Sequence, residues 1–112
     1  MTYETVYNAN DKMWAALGDP TRRAIFEIVS DRHRGVQEIA DVLPVTRPAV
    51  SQHLKLLDEA GLVQAHKVGR QRIYSANPKA LKDLRDWLDQ YWTDAMHNFA
   101  QAADKDEEKQ ND

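Results

Sequence analysis

The sequence predicts a mainly helical fold carrying one small β-hairpin, with elements in the order α-α-α-α-β-β-α. Three observations predict it. Apolar residues step by three and four along most of the 112 residues. A capping side chain directly before proline, at Asp19-Pro20 and Asn77-Pro78, twice announces a helix start. Two β-compatible runs, Leu62 to Val68 and Gln71 to Ser75, flank the dipeptide Gly69-Arg70.

The elements follow in order. Tyr3, Val6 or Tyr7, Met13 or Trp14, and Leu17 recur at near-helical spacing, which predicts a first helix from about Asn8 to Leu17 that Gly18 ends. Asp19 then caps a second helix over about 20–30, with Pro20 at its first position and Ile25, Ile28 and Val29 as a core stripe beside Phe26. The polar stretch Ser30 to Gly35 closes it as a loop. Val36, Ile39, Ala40 and Leu43 fall at i, i+3, i+4 and i+7 of a third helix, stopped by Pro44. Thr46 caps a fourth, with Arg47 and Pro48 in its first turn and Val50, Leu54 and Leu57 as its buried line. Gly61 ends that helix in a left-handed conformation, so that Leu62 packs back onto the last turn. In the hairpin, Gly-X is the pair that a two-residue type II′ turn prefers.

From Pro78, Leu81, Leu84, Leu88, Tyr91, Ala95 and Phe99 step by 3, 4, 3, 4 and 4, so a last helix reaches about Ala103, roughly 39 Å at 1.5 Å per residue. The remainder, DKDEEKQND, is polar and expected to be disordered. The expected organisation is one domain over 1–103 and a tail over 104–112.

Composition removes several classes of function. The absence of cysteine excludes disulfide frameworks, thiol nucleophiles, thiolate metal sites and thiol redox sensing. Apolar runs are far too short for a membrane span, and the N-terminus lacks a basic start followed by an apolar run, which reads as a soluble, cytoplasmic protein with no membrane partner. No catalytic pairing is evident, and an enzyme is not expected. The net charge of −3 hides an uneven distribution. Residues 1–20 sum to −2 and residues 75–112 to −4, whereas residues 21–74 sum to +3. The middle is the basic part.

The order helix, helix, proline-containing turn, helix, hairpin is the plan of a winged helix-turn-helix, which presents one helix to the DNA major groove and a hairpin to the flanking backbone. With Val50, Leu54 and Leu57 inward, a turn of about 100° per residue puts Arg47, Ser51 and Lys55 on the opposite side, with Pro48 and Gln52 beside them. Arg suits a bidentate contact to guanine, Gln to adenine, Ser or Thr either a base or a phosphate, and Lys a phosphate. The hairpin adds Lys67, Arg70 and Arg72 around its turn, and no acid lies between Glu59 and Asp83. Such cations also protect a sheet edge, and both roles are compatible.

The stretches ALGDPTRRAIFEIV at 16–29, VQEIADVLPVTRPAVSQHLKLLDEAGLV at 36–63 and KVGRQRIYSANP at 67–78 resemble the ArsR family of bacterial winged-helix repressors. The resemblance covers roughly residues 10–100. It implies a homodimer that represses transcription from an inverted-repeat operator, often its own promoter. It also places Thr46, Arg47, Pro48, Ser51, Gln52 and His53 in the reading region and Gly69, Arg70, Gln71 and Arg72 in the wing. With Lys55 and Lys67 these make up the expected DNA-binding set. Many family members sense metals through cysteines or through Asp, His and Glu on the last helix, and here the sequence departs from that pattern. There is no cysteine, His97 is followed three residues on by Ala100, and only Asp94 and His97 share a face. No metal and no cofactor are therefore expected.

Trp87, Tyr91, Trp92, Met96 and Phe99 are more aromatic and apolar bulk than a core of this size covers, which calls for a second surface. The expected dimer interface comprises Met13, Trp14 and Leu17 of the first helix with Leu84, Leu88, Tyr91, Trp92, Ala95 and Phe99 of the last. Double-stranded DNA and a second copy are thus the expected partners. Two rival readings stay open on sequence alone: a ligand- or metal-responsive sensor of the same family with an unknown inducer, and an interaction module that kept the fold without binding DNA.

Overall fold

The computed structural model describes residues 9–110, so Tyr3, Val6, Tyr7 and Asn8 of the expected first helix lie outside the described residues. The elements are α1 (Ala9–Leu17), α2 (Pro20–Asp31), β1 (Arg34–Gly35), α3 (Val36–Val42), α4 (Arg47–Glu59), β2 (Val63–Val68), β3 (Gln71–Ala76) and α5 (Pro78–Gln110). Two compact units divide the chain, one through Leu81 and one from Lys82 onward.

In the first unit α2, α3 and α4 start where their capping chemistry directs. The Asp19 carboxylate accepts from the Arg22 amide at 2.9 Å, with Pro20 in the first turn. The Thr46 hydroxyl accepts from the Ala49 amide at 3.3 Å. At α3 the cap is one-sided, because Gly35 has no side chain to accept: the Gly35 amide donates to Glu38 Oε1 at 3.3 Å. The end of α4 is a Schellman closure. Gly61 has φ +79°, the Leu62 amide donates to the Leu57 carbonyl at 3.0 Å, and the Gly61 amide donates to the Asp58 carbonyl at 2.9 Å.

The core of this unit takes Met13 and Ala16 from α1, Ile25, Phe26 and Val29 from α2, Ile39 from α3, and Val50, Leu54 and Leu57 from α4, with Leu62, Val63 and Tyr74 from the sheet side. α2 packs against α1, α4 and β3, and α4 also against α3 and β2. The predicted buried line Val50, Leu54, Leu57 is fully inaccessible. Truncating a residue such as Leu54 to Ala would cost about 2–5 kcal/mol, the lost transfer energy plus a cavity.

The hairpin forms with Val68 paired to Gln71 and Gly69 at φ +63°, and no other residue of the turn has positive φ, which fits the expected turn type. Its sheet, however, has three strands in the order β1-β3-β2. Arg34 and Gly35, expected in a loop, pair antiparallel with Tyr74 and Ile73. A two-residue strand has no alternation to read, so its pairing is visible only once α2 and α3 bring it beside β3. At the other end of the hairpin, the Asn77 side chain does two jobs. Its Nδ2 donates to the Gly61 carbonyl at 3.0 Å, and its Oδ1 accepts from the Lys79 amide at 3.1 Å, capping α5.

The second unit is the body of α5, which continues to Gln110 where a disordered tail from residue 104 was expected. Residues 78–110 contain no glycine, and no proline after Pro78, and the closing segment is built from Ala, Lys, Asp, Glu and Gln, mostly good helix formers, so nothing local stops the helix. Along it Trp87 and Tyr91 stack with ring centroids 5.6 Å apart and planes 4° from parallel. Lys82–Asp86 and Arg85–Asp89 form exposed i,i+4 pairs at 3.9 and 3.7 Å. No helix among the described residues is long and apolar enough to cross a membrane.

Candidate nucleic-acid interface

Pinning Val50, Leu54 and Leu57 into the core fixes the rotation of α4, and the opposite face emerges into solvent. Arg47, Ser51 and Lys55 stand there at four-residue intervals, all exposed. They line a groove of about 540 Å³ whose other wall is the hairpin, contributed by Arg70, Gln71, Arg72 and Tyr74. The helix face and the wing, read separately from the sequence, are thus two sides of one concavity. Its floor and rim also take Gln37 and Glu38 from the start of α3 and Asp58 from the last turn of α4.

The electrostatics of this groove are distinctive. Arg47, Lys55, Arg70 and Arg72 bring four cations to it, and Glu38 and Asp58 bring two acids. Among the described residues, the ion pairs are Arg34–Asp31, Lys82–Asp86 and Arg85–Asp89, none of which involves a groove residue. The groove cations are therefore free to pair with an external anion. At the tip, Lys67 and Arg72 are directly opposite one another across β2 and β3, both exposed. Like charges in that position repel, so the hairpin carries them at a cost to its own stability.

The remaining expected contact residues divide. Thr46, Pro48, Gln52 and Lys67 are exposed on the flanks of the groove without lining it. His53 does not belong with them. One helical step of about 100° from Gln52 carries it to the side of Val50 and Leu57, where it is half-buried with a buried, unpartnered Nδ1. From there its charge acts on Asp19, whose carboxyl is held below the ordinary carboxylate range. The Arg22 amide hydrogen bond contributes most to that lowering, and the charges of Arg22 and His53 add to it. His53 thus looks toward the start of α2, not toward the groove.

Sequence reading missed Gln37, Glu38, Asp58 and Tyr74. Asp58 was legible, lying eleven residues after Arg47 and three after Lys55 on the same stripe. The others depend on how α3 and β3 are brought to α4, for which one-dimensional spacing carries no signal.

Of the residues expected at a dimer seam, Trp14, Leu88, Tyr91, Trp92 and Phe99 are exposed, with Phe99 at 70%. Leu17 and Ala95 are intermediate. Met13, at 4% exposure, is covered within its own unit and has little surface left for a partner. Asp94, one turn before His97 on the same face, accepts from Gln90 Nε2 at 3.1 Å. No group of three His, Asp or Glu able to hold a metal ion occurs among the described residues.

Comparison with known proteins bears on this geometry. The family model described as bacterial regulatory protein, arsR family, matches residues 19–65, from the Asp19 cap through α4 into β2. The chain is 45% identical over 102 residues to the HTH-type transcriptional regulator Rv2034 of Mycobacterium tuberculosis, spanning 91% of this chain and 95% of that one. It is 29% identical over 96 residues to the transcriptional repressor SdpR of Bacillus subtilis, spanning 86% and 98% respectively. Among solved structures, an ArsR-like transcriptional regulator from Rhodococcus sp. RHA1 superposes with a TM-score of 0.74 at 30% identity, over 86% of this chain and 91% of the other.

Proposed function

The chain belongs to the ArsR family of bacterial regulatory proteins, and from that premise we propose that it is a homodimeric repressor that reads an inverted-repeat operator with α4 and grips the flanking backbone with its wing. That it is a DNA-binding transcriptional regulator follows from the family. The finer reading rests on one observation: Arg47, Ser51 and Lys55 share a single groove with Arg70, Gln71 and Arg72, and its four cations have no ion-pair partner among the described residues.

The division of labour follows from side-chain chemistry. Arg47, in the first turn of α4, enters the major groove first and suits the N7 and O6 acceptors of guanine. Ser51 and Gln52 reach adjacent base edges or phosphates, and Thr46 and Pro48 set the angle of entry. Lys55, Lys67, Arg70 and Arg72 neutralise phosphates, which fixes register without reading sequence. Gln71 at the wing tip bonds to sugar or base at the edge of the site.

Dimerisation uses the exposed aromatic and aliphatic side chains of α5, Leu88, Tyr91, Trp92 and Phe99, with Trp14 of α1. Two α4 helices reach successive major grooves on one face of a duplex when a two-fold pair holds them about 34 Å apart. A lone domain buries too little surface to bind tightly. The repressor assignment draws on the likeness to SdpR, and the chain's own upstream DNA is the first target to test. Binding to a chromosome places the protein in the cytoplasm.

Footprinting on genomic fragments, followed by gel shifts over a salt series, tests the reading. Protection of two half-sites about one helical turn apart, with affinity falling steeply as salt rises, is the expected result. Sedimentation should give a dimer for the wild type and a monomer for Tyr91→Glu. A footprint without two-fold symmetry, or DNA binding that ignores salt, overturns it.

A further inference from the structure

The acids on the groove are not explained by DNA binding as such, and one of them stands where the fold gives it no support. Asp58 is exposed in the last turn of α4, where the negative end of the helix dipole disfavours a carboxylate. It has no ion pair among the described residues, although Lys55 lies one turn before it and Arg70 and Arg72 line the same groove. Glu38 has a structural duty, accepting from the Gly35 amide, whereas the Asp58 side chain makes no hydrogen bond or ion pair among the described residues. A carboxylate at that point acts on whatever polyanion enters.

Resting on the reading of this groove as the DNA-binding surface, we propose that Asp58 is a specificity-determining residue that weakens the grip on non-operator DNA. Four cations attract any duplex, irrespective of sequence, through phosphate neutralisation and counterion release. Asp58 opposes that uniform attraction. On non-operator DNA, held only by phosphate contacts, the repulsion is uncompensated. On an operator, base contacts from Arg47 and its neighbours hold α4 deep in the major groove. There a carboxylate meets the amino hydrogens of cytosine or adenine, which it can accept, and part of the penalty is recovered. The consequence is a wider gap between specific and non-specific affinity, achieved by loss on the non-specific side.

The adjacent residue supplies an internal control. Glu59 carries the same charge one position on, but it is rotated by about 100° and lines a different depression, beside Lys12, Ala15 and Ala60. Asp58→Asn and Glu59→Gln therefore change net charge equally and groove charge unequally. Fluorescence anisotropy of the full chain, at fixed salt, is read on two labelled duplexes: one of random sequence, and one enriched from a random pool by the wild-type protein. Asp58→Asn should bind the random duplex roughly threefold or more tighter, and gain less on the enriched duplex, so that discrimination falls. Glu59→Gln should leave both affinities unchanged, and thermal melting should show Asp58→Asn at least as stable as wild type. Equal gains for the two variants would reduce the effect to net charge and overturn the proposal, as would an Asp58→Asn affinity for random DNA equal to wild type while Arg72→Ala weakens it. Failure of the wild type to bind either duplex would overturn the groove assignment itself and this inference with it.

Discussion

Lys67 and Arg72 sit directly opposite each other in the β2–β3 ladder, two like charges in a position where an opposite-charge pair would stabilise the hairpin. Replacing Lys67 by Glu turns the repulsion into attraction. The hairpin should gain about 0.2–1 kcal/mol, seen as a rise in Tm. DNA affinity should fall several-fold at low salt for every sequence, because a phosphate ligand is lost and an acid is put in its place. A variant that gained both stability and affinity would contradict the assignment of this pair to phosphate binding.

Arg47 and Arg70 line the same groove but are expected to behave differently. Arg47→Ala should cost about 1–3 kcal/mol at a guanine-bearing position of the operator and relax the base preference there. Arg70→Ala should weaken binding almost uniformly across sequences and lower the slope of log affinity against log salt by about one for each protomer that loses the contact. Binding selections paired with salt titrations separate the two patterns. Identical profiles would refute the division between reading helix and gripping wing.

Gly61 adopts φ +79° with no neighbouring atom in the way of a side chain, so the effect of replacing it is purely a backbone one. Gly61→Ala should destabilise the fold by about 1–2 kcal/mol, the penalty of a left-handed conformation for an L-residue, measurable by denaturant or thermal unfolding. Because the Schellman bonds from Leu62 and Gly61 depend on that conformation, amide exchange near the end of α4 should accelerate in the variant.

Asp19 gives a pH dependence of known sign. Its carboxyl titrates below the ordinary range in the folded chain, chiefly through the hydrogen bond from the Arg22 amide. The folded state therefore favours the ionised form. The stabilisation this brings is present above the ordinary carboxylate pKa and is lost as pH falls from there through the lowered folded value. Asp19→Asn keeps a capping side chain but cannot titrate, so its stability profile over that acidic window should be flatter than that of wild type. An unchanged acid profile would remove Asp19 from the list of groups that set it.

Much of this architecture was legible in the sequence, because its boundaries are written in local chemistry. Asp19-Pro20, Thr46, Gly61-Leu62, Gly69-Arg70 and Asn77-Pro78 are each confined to two or three residues, and each forms the cap or turn its residue types favour. The inward line of α4 was legible for the same reason: three apolar residues at helical spacing fix the rotation of everything between them. His53 shows the limit of carrying a role over by position. The rotation set by Val50, Leu54 and Leu57 already turns it inward. What stayed hidden needed three dimensions. Strand β1 is too short to show a period, Gln37, Glu38 and Tyr74 reach the groove only after α3 and β3 dock, and Met13 is covered by neighbours that its helical spacing does not reveal.

The joint between α4 and the wing has almost no slack. Gly61 and Leu62 close the helix, Val63 already belongs to β2, and Asn77 fastens the Gly61 carbonyl from the far end of the hairpin. An insertion of one residue here would invert β2, turning Gln64 and His66 inward and Val63 outward. At Gly69-Arg70 an added residue would only lengthen an exposed tip. A change of length at the tip would therefore alter only the reach of the wing, while the angle at which it meets α4 is held by the bonds at Gly61, Leu62 and Asn77.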